Sequence, residues 1–246
     1  MNIQDSYKGV FSEIDRVMVV MAHPDDTEIV CGGLVARLIE DGKKVRIIVV
    51  TNGGKGYQDR TDVTEAEFAV HRKKCQLRAE LALGVPENEN INLDIPDGEV
   101  ENSVELIGKL AFNIRQFKPD ILITHNPEEM INSFDGDTRW VNHRDHRNTA
   151  LSTVDAAYPY SRDRGFFPEH FKTEGVHPHT VTTFMFSDSY THPELKYFDV
   201  TNQIEMKRNA LTCHKGPLTD DEIDGFVTEI EHENGSFEPL RIVRTD

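Results

Sequence analysis

Short apolar runs alternate with amphipathic stretches along the first two-thirds of this chain. Arg16–Met21 (RVMVVM) is a β-branched, apolar run that predicts a short buried strand. Glu28–Glu40 (EIVCGGLVARLIE) has helical periodicity and stops at Asp41-Gly42. A second strand is predicted at Val45–Thr51, and a long helix at Thr64–Leu83 with Gly84 as its stop. Ile91–Ile95 predicts a third strand closed by Pro96-Asp97-Gly98, Ser103–Phe117 a helix, and Asp120–Thr124 a fourth strand. This β-α-β-α-β-α-β order predicts an α/β, Rossmann-like fold: a mostly parallel sheet flanked by helices, with strand order 3-2-1-4-5. A polar loop at Asn126–Asn142 and a helix at Asp145–Ala157 follow. Strands are predicted at Thr182–Ser187 and Lys196–Val200, and a last helix at Asn202–Cys213. Thr219–Glu238 is acidic and weakly periodic and predicts irregular or mobile chain. Residues 1–246 read as one domain with an acidic C-terminal extension from about 219.

Charge narrows the class of partner. With 27 basic and 43 acidic residues the formal charge is −16, which argues against nucleic acid or an anionic membrane surface as the main partner. Cys31, Cys75 and Cys213 form no CxxC pair and read as free thiols in a reducing cytoplasm. The N-terminal residues lack the basic and apolar regions of a secretory signal, and no apolar run is long enough to span a bilayer. The expectation is a soluble, cytoplasmic protein.

The first strand ends in His23-Pro24-Asp25-Asp26-Thr27-Glu28. Open parallel sheets bind ligands at the carboxyl ends of their strands, so this turn stands where chemistry is done. His23 and Asp26, three residues apart, can grip one divalent ion and leave Asp25 free for proton transfer. A helix cap alone needs one acid and no histidine. The second cluster is Asn142–Arg147 (NHRDHR). Strands 1 and 4 are neighbours at the switch point, so the loop after strand 4 returns beside His23. One histidine of that loop would complete a three-ligand site with an open position for water, the mark of a catalytic rather than a structural zinc. Such a set accepts Zn²⁺, Fe²⁺ or Mn²⁺.

AHPDDTE with Gly32-Gly33 behind it, then TNGGKG, then HRDHRNTA, resembles the PIG-L/LmbE-like family of zinc-dependent N-acetylglucosaminyl deacetylases. AAYPYSRDRGFFPEH, EGVHPHTV and DVTNQIEMKRNALTCH continue the likeness, which covers roughly residues 15 to 216. The resemblance implies His23, Asp26 and His146 as metal ligands and Asp25 as general base. It also implies His143 as acid or oxyanion stabiliser, with Asp145 orienting it. The implied reaction is hydrolysis of an N-acetyl group from an N-acetylglucosamine-type small molecule or conjugate by metal-activated water. Zinc lowers the pKa of its water toward about 7, which suits a carboxylate base at neutral pH. Two positions depart from the pattern. Thr27 stands where many members have glutamate, with Glu28 after it, and Cys75 replaces a glutamate usual in the helix before Leu83-Gly84. The second departure bears on a substrate contact or on helix packing, not on the metal ligands.

Other residues carry weaker signals. Thr51–Gly56 (TNGGKG) is glycine-rich but lacks the full phosphate-loop spacing; it reads as a loop whose amides and Lys55 meet sugar hydroxyls, or as a plain turn. Arg162 and Arg164 are candidates for an acetamide or sugar contact, with pairing to Asp163 as the alternative. His214 resembles a family histidine near the pocket, and His125 ends strand 4 at the same mouth. Phe134 and Trp140 are candidates for a stacking wall. His177 and His179 read as structural beside Pro178, and His170 shows no partner. The expected partner is a small N-acetylated molecule, without nucleic acid or membrane insertion, and a homo-oligomer is left open. Two rivals stand: an amidase acting on a larger thiol or lipid conjugate, and a binding protein with a vestigial site.

Overall fold

A computed structural model describes residues 3–57, 60–133, 139–187 and 189–245. After a short helix α1 (Tyr7–Phe11) come β1 (Arg16–Met21), α2 (Asp26–Glu40), β2 (Lys44–Thr51), α3 (Glu65–Ala82), β3 (Asn90–Ile95), α4 (Val104–Phe117) and β4 (Ile121–His125). A small hairpin, β5 (Ile131–Ser133) and β6 (Arg139–Val141), precedes α5 (Arg144–Asp155). The chain ends with β7 (Thr183–Ser187), β8 (Leu195–Asp199), α6 (Ile204–Thr212), α7 (Asp220–Thr228), β9 (Glu231–His232) and β10 (Gly235–Arg244).

The main sheet has the order β3-β2-β1-β4-β7-β10-β8. Its first five strands run parallel, with Val17 of β1 opposite Val45 of β2 on one side and Ile121 of β4 on the other. The expected 3-2-1-4-5 order is therefore realised, β7 being the fifth strand. Both faces of β1 are covered, which explains its continuous apolar run. Val17, Val19 and Met21 pack under α2 and α6, whereas Met18 and Val20 pack against α4. All five are at most 1% exposed. No described helix is long and apolar enough to cross a membrane.

The C-terminal segment differs from its expectation of irregular chain. Thr219 and Glu222 form a reciprocal capping box at the start of α7. β10 then inserts between β7 and β8, antiparallel to both. Its pattern hides it, because GSFEPLRIVR carries Glu238, Pro239 and Arg241 within the strand. Both charged side chains are buried and paired, Glu238 with Lys207 and Arg241 with Glu128.

Helix α2 is broken at Cys31, whose φ of −148° is not helical. The break frees backbone groups that a continuous helix would pair. Lys207 Nζ donates to the carbonyls of Glu28 (2.9 Å) and Ile29 (2.7 Å). Glu238 accepts from the amides of Gly33 (2.9 Å) and Leu34 (2.7 Å), and the two side chains meet at 2.7 Å. A fully buried ion pair thus splices the two halves and sets the angle at which the first turn, with Asp26, leaves the sheet. Gly33 is required there, since a Cβ would lie 2.7 Å from Cβ of Val200.

Candidate metal centre and its two cavities

The β1–α2 turn and the start of α5 meet at the carboxyl edge of the sheet. His23 Nδ1 lies 3.1 Å from His146 Nε2 and 3.4 Å from Asp26 Oδ2, and His146 Nε2 lies 3.4 Å from Asp26 Oδ1. Donors held at about 2.0–2.2 Å by one tetrahedral ion sit about 3.3–3.6 Å apart, so these residues fit a single divalent ion. All three offer their donor atoms within 4.8 Å of one another. The second ring nitrogen of His23 faces Asp97 Oδ1 (3.3 Å) and Asp145 Oδ2 (3.4 Å). A carboxylate on the far nitrogen fixes the tautomer and turns Nδ1 inward, as it does for histidine ligands of metals.

Charge accumulates here by design of the burial. Burial alone would lower the pKa of His23, but hydrogen bonds to Asp145, Asp26 and Asp97 outweigh it and hold it well above the usual histidine value. Burial would raise the Asp26 carboxyl, yet the neighbouring His146 ring holds it well below the usual range. His125 is buried, stacks on His146 at 3.9 Å between centroids, and accepts the Ala22 amide at 3.0 Å. Burial and then His146 push its pKa down to about 4, so this ring is neutral.

Asp25 lies beside the trio and pairs with Arg72 of α3 at 2.9 Å; Arg72 itself is 4% exposed. His143 is the N-cap of α5, where its Nδ1 accepts the amide of Asp145 at 3.1 Å. That bond assigns the ring proton to Nε2, the end left for a ligand. Burial, then His23 and His146, lower the pKa of His143. Asp145 is fully buried, and its carboxylate accepts the amides of Gly98 (2.7 Å) and Val100 (3.2 Å) besides facing His23. It touches His143 through its backbone, while its carboxylate is directed at His23. The expected Asp145–His143 carboxylate pairing is thus replaced, because the helical start at Arg144 points the two side chains apart.

Two cavities flank the trio. A polar one of about 410 Å³ is lined by His23, Asp25, Lys55, Arg72, Asp97 and His143. A second, of about 230 Å³, opens past Asp26 and His146 on the β4–β7 side. Lys55 reaches the first cavity with its ammonium on Glu99 at 2.7 Å. The amides of Gly53, Gly54 and Lys55 are taken by Thr51, Asn52 and Asp97, so this loop offers no phosphate cradle. Gly53 has φ +62°, and a Cβ there would meet Pro24 at 2.8 Å, which is how the loop packs onto the His-Pro turn.

Other candidates fall elsewhere. Arg162 pairs with Asp163 at 2.8 Å and covers the Tyr158 ring, and Arg164 covers Phe171; neither lines a cavity at the trio. Both sit on the loop held by Arg115, which is remote from the sheet's switch point. His214 is fully buried 3.4 Å from Glu28 and also lines neither cavity. His179 bonds the Pro119 carbonyl at 2.7 Å, and His170 bonds Arg115 at 3.0 Å. Trp140 is exposed on β6, and Phe134 lies outside the described residues. Buried Cys75 sits 3.3 Å from Arg78, so the position of the usual glutamate is packed inside α3. The pattern reading missed Arg72 and Asp97. Asp97 had a signal, since the turn after β3 must lie on the same edge as His23. Arg72 had none beyond being a charge on a helix.

Fold and donor set together define an α/β protein with a two-histidine, one-carboxylate centre at the switch point of its sheet. The chain belongs to the PIG-L family: the GlcNAc-PI de-N-acetylase family model matches residues 18–157. A diacetylchitobiose deacetylase of Thermococcus kodakarensis is 25% identical over 217 residues, covering 86% of this chain and 73% of the relative. The structure of N,N'-diacetylchitobiose deacetylase from Pyrococcus horikoshii, complexed with its inhibitor MPG, superposes with TM-score 0.80 at 22% identity, covering 99% of this chain and 88% of that one. GalB, the 4-carboxy-2-hydroxymuconate hydratase of Pseudomonas putida, shares the fold at 17% identity with TM-score 0.75, covering 95% and 98%.

Proposed function

We propose that this protein is a metal-dependent hydrolase that removes the acyl group, acetyl in the simplest case, from the nitrogen of a glucosamine-type small molecule. The observation that carries the reading is the donor geometry: His23, His146 and the two oxygens of Asp26 approach one another at 3.1–3.4 Å, with Asp25 and His143 beside them. The family and the deacetylase relatives support it. His23, Asp26 and His146 would hold the ion, which supplies an acidified water and a polarised amide carbonyl. Zinc fits this set, and Fe²⁺ or Mn²⁺ would fit it as well.

The chain's own groups divide the remaining work. Asp25 takes the proton of the attacking water, and the Arg72 guanidinium keeps its carboxylate turned into the polar cavity. His143 presents Nε2–H to the oxygen on which negative charge develops. Asp97 and Asp145 hold His23 in its ligating tautomer. Lys55, Arg72 and Asp97 line the polar cavity and suit sugar hydroxyls. Amine release from N-acetylglucosamine conjugates, followed with and without a chelator, tests this. Loss of turnover in the chelated protein and its recovery on adding Zn²⁺ is expected; turnover that resists the chelator would sink the mechanism. Asp25→Ala should stop turnover with metal affinity retained, and His146→Ala should lose the metal.

A further inference from the structure

The cavity of about 230 Å³ lies on the far side of Asp26 and His146 from the polar one, and the proposed reaction does not account for it. We propose that it is an acyl-side subsite, and that the preferred substrates carry an apolar acyl group larger than acetyl. The inference rests on the amide-hydrolase reading and adds the acyl chain to it.

The placement follows from the bond that breaks. Hydrolysis puts the water oxygen on the acyl carbon, giving a carboxylate, and cleaves the C–N bond. The nitrogen keeps the bonding pair and gains the proton first taken from the water. That nitrogen must lie near the groups that carry protons, and Asp25 and His143 both line the polar cavity. Its sugar therefore sits among Lys55, Arg72 and Asp97. The other substituent of the carbonyl carbon points away from the nitrogen, past Asp26 and His146.

The walls there are of a different chemistry. Ile29 and Val30 of α2, Phe226 of α7 and Pro239 of β10 form an apolar side, and three asparagines, a serine and Tyr190 also line the cavity, so the acyl tail is taken to lie along the apolar side. No lysine or arginine lines the cavity among the described residues, and Glu229 adds a carboxylate to that of Asp26. An acyl group bearing its own carboxylate is disfavoured; a hydrocarbon one is not. An apolar cavity of about 150 Å³ accepts benzene, so this one takes an acyl tail of about six to nine non-hydrogen atoms. An acetyl methyl leaves most of it unfilled. Phe226 and Pro239 also lie outside residues 18–157, so half of this apolar wall comes from the part of the chain that the family model does not match.

The test compares N-acetylglucosamine with N-hexanoylglucosamine on the zinc-loaded protein, reading amine release, with acetate and hexanoate titrated calorimetrically in parallel. We expect kcat/KM to rise about tenfold or more from acetyl to hexanoyl, because each added methylene gains apolar contact. Val30→Phe, which fills the cavity, should lower the hexanoyl value about tenfold and leave acetyl within about threefold. Phe226→Ala, on a half-buried helical position, should lower the hexanoyl value alone and serves if Val30→Phe does not fold. Equal or poorer turnover of hexanoyl, or parallel loss of both substrates in the variants, overturns the proposal. Hexanoate that binds no tighter than acetate overturns it as well, with or without turnover. If neither amide is cleaved while hexanoate binds tightly and Val30→Phe weakens it, the hydrolase reading falls and the apolar subsite stands.

Discussion

The buried Lys207–Glu238 pair gives the sharpest test of how the His23–Asp26 turn, the candidate metal-binding turn, is positioned. Both side chains are fully buried and 2.7 Å apart. Each also completes the broken helix α2, through the carbonyls of Glu28 and Ile29 and the amides of Gly33 and Leu34. Removing one partner leaves the other charge buried and alone, at a cost of about 3–5 kcal/mol. Lys207→Met or Glu238→Gln should therefore lower Tm by about 6–20 °C for a chain of this size. The double variant Lys207→Met with Glu238→Leu separates two explanations. Replacing a buried ion pair by apolar residues is often neutral, because desolvation offsets attraction. Here the replacement also strands four buried backbone groups, each costing about 1–3 kcal/mol when unpaired. We expect the double variant to stay at least about 3 kcal/mol below the parent. The alternative way for the chain to recover is to straighten α2, which moves Asp26 and lowers zinc affinity at least about tenfold. Urea titration of the metal-free proteins and competition for Zn²⁺ against a chelating dye read both quantities. A double variant with parental stability and parental zinc affinity would refute the splice.

Three further outcomes are expected. Arg72→Met releases Asp25 and should lower kcat about ten- to a hundredfold while zinc affinity, measured separately, stays within a few-fold. Arg115 is fully buried and donates to the carbonyls of Tyr160, Ser161, Asp163, Phe166 and Phe167; Arg115→Met should cost about 3 kcal/mol or more by urea titration. Burial and then Arg115 lower the pKa of His170 in the folded protein, so the unfolded chain binds the extra proton first. Stability from this site is complete above about pH 6.5 and falls as the pH drops below it. The difference in Tm between parent and His170→Gln should shrink or reverse from pH 7.5 to pH 5.5, and a constant difference would count against the shift.

Much of this protein is determined locally and reads directly from its residues. The strands β1, β2 and β4 are dominated by apolar, β-branched residues because a parallel strand is buried on both faces, and that needs no partner to recognise. The alternation of strands and helices fixes the parallel order, since crossovers share one hand. Order then brings His23 and Asp26 beside His146, the placement that matters most, from turns 123 residues apart in the chain. Tertiary structure alone decided the rest. β10 carries two charges in its interior and becomes a strand only because Lys207 and Glu128 neutralise them in place. Arg72 and Asp97 join the site, and Arg162, Arg164 and His214 leave its cavities, through packing that no spacing rule encodes. The carboxylate of Asp145 faces His23, not His143, because the direction of a side chain at a helix start depends on where the helix is docked. Residue type and sheet topology set which chemistry gathers at the switch point. Which group serves which neighbour is set by burial and hydrogen bonding between distant segments, and those exist only once the chain is folded.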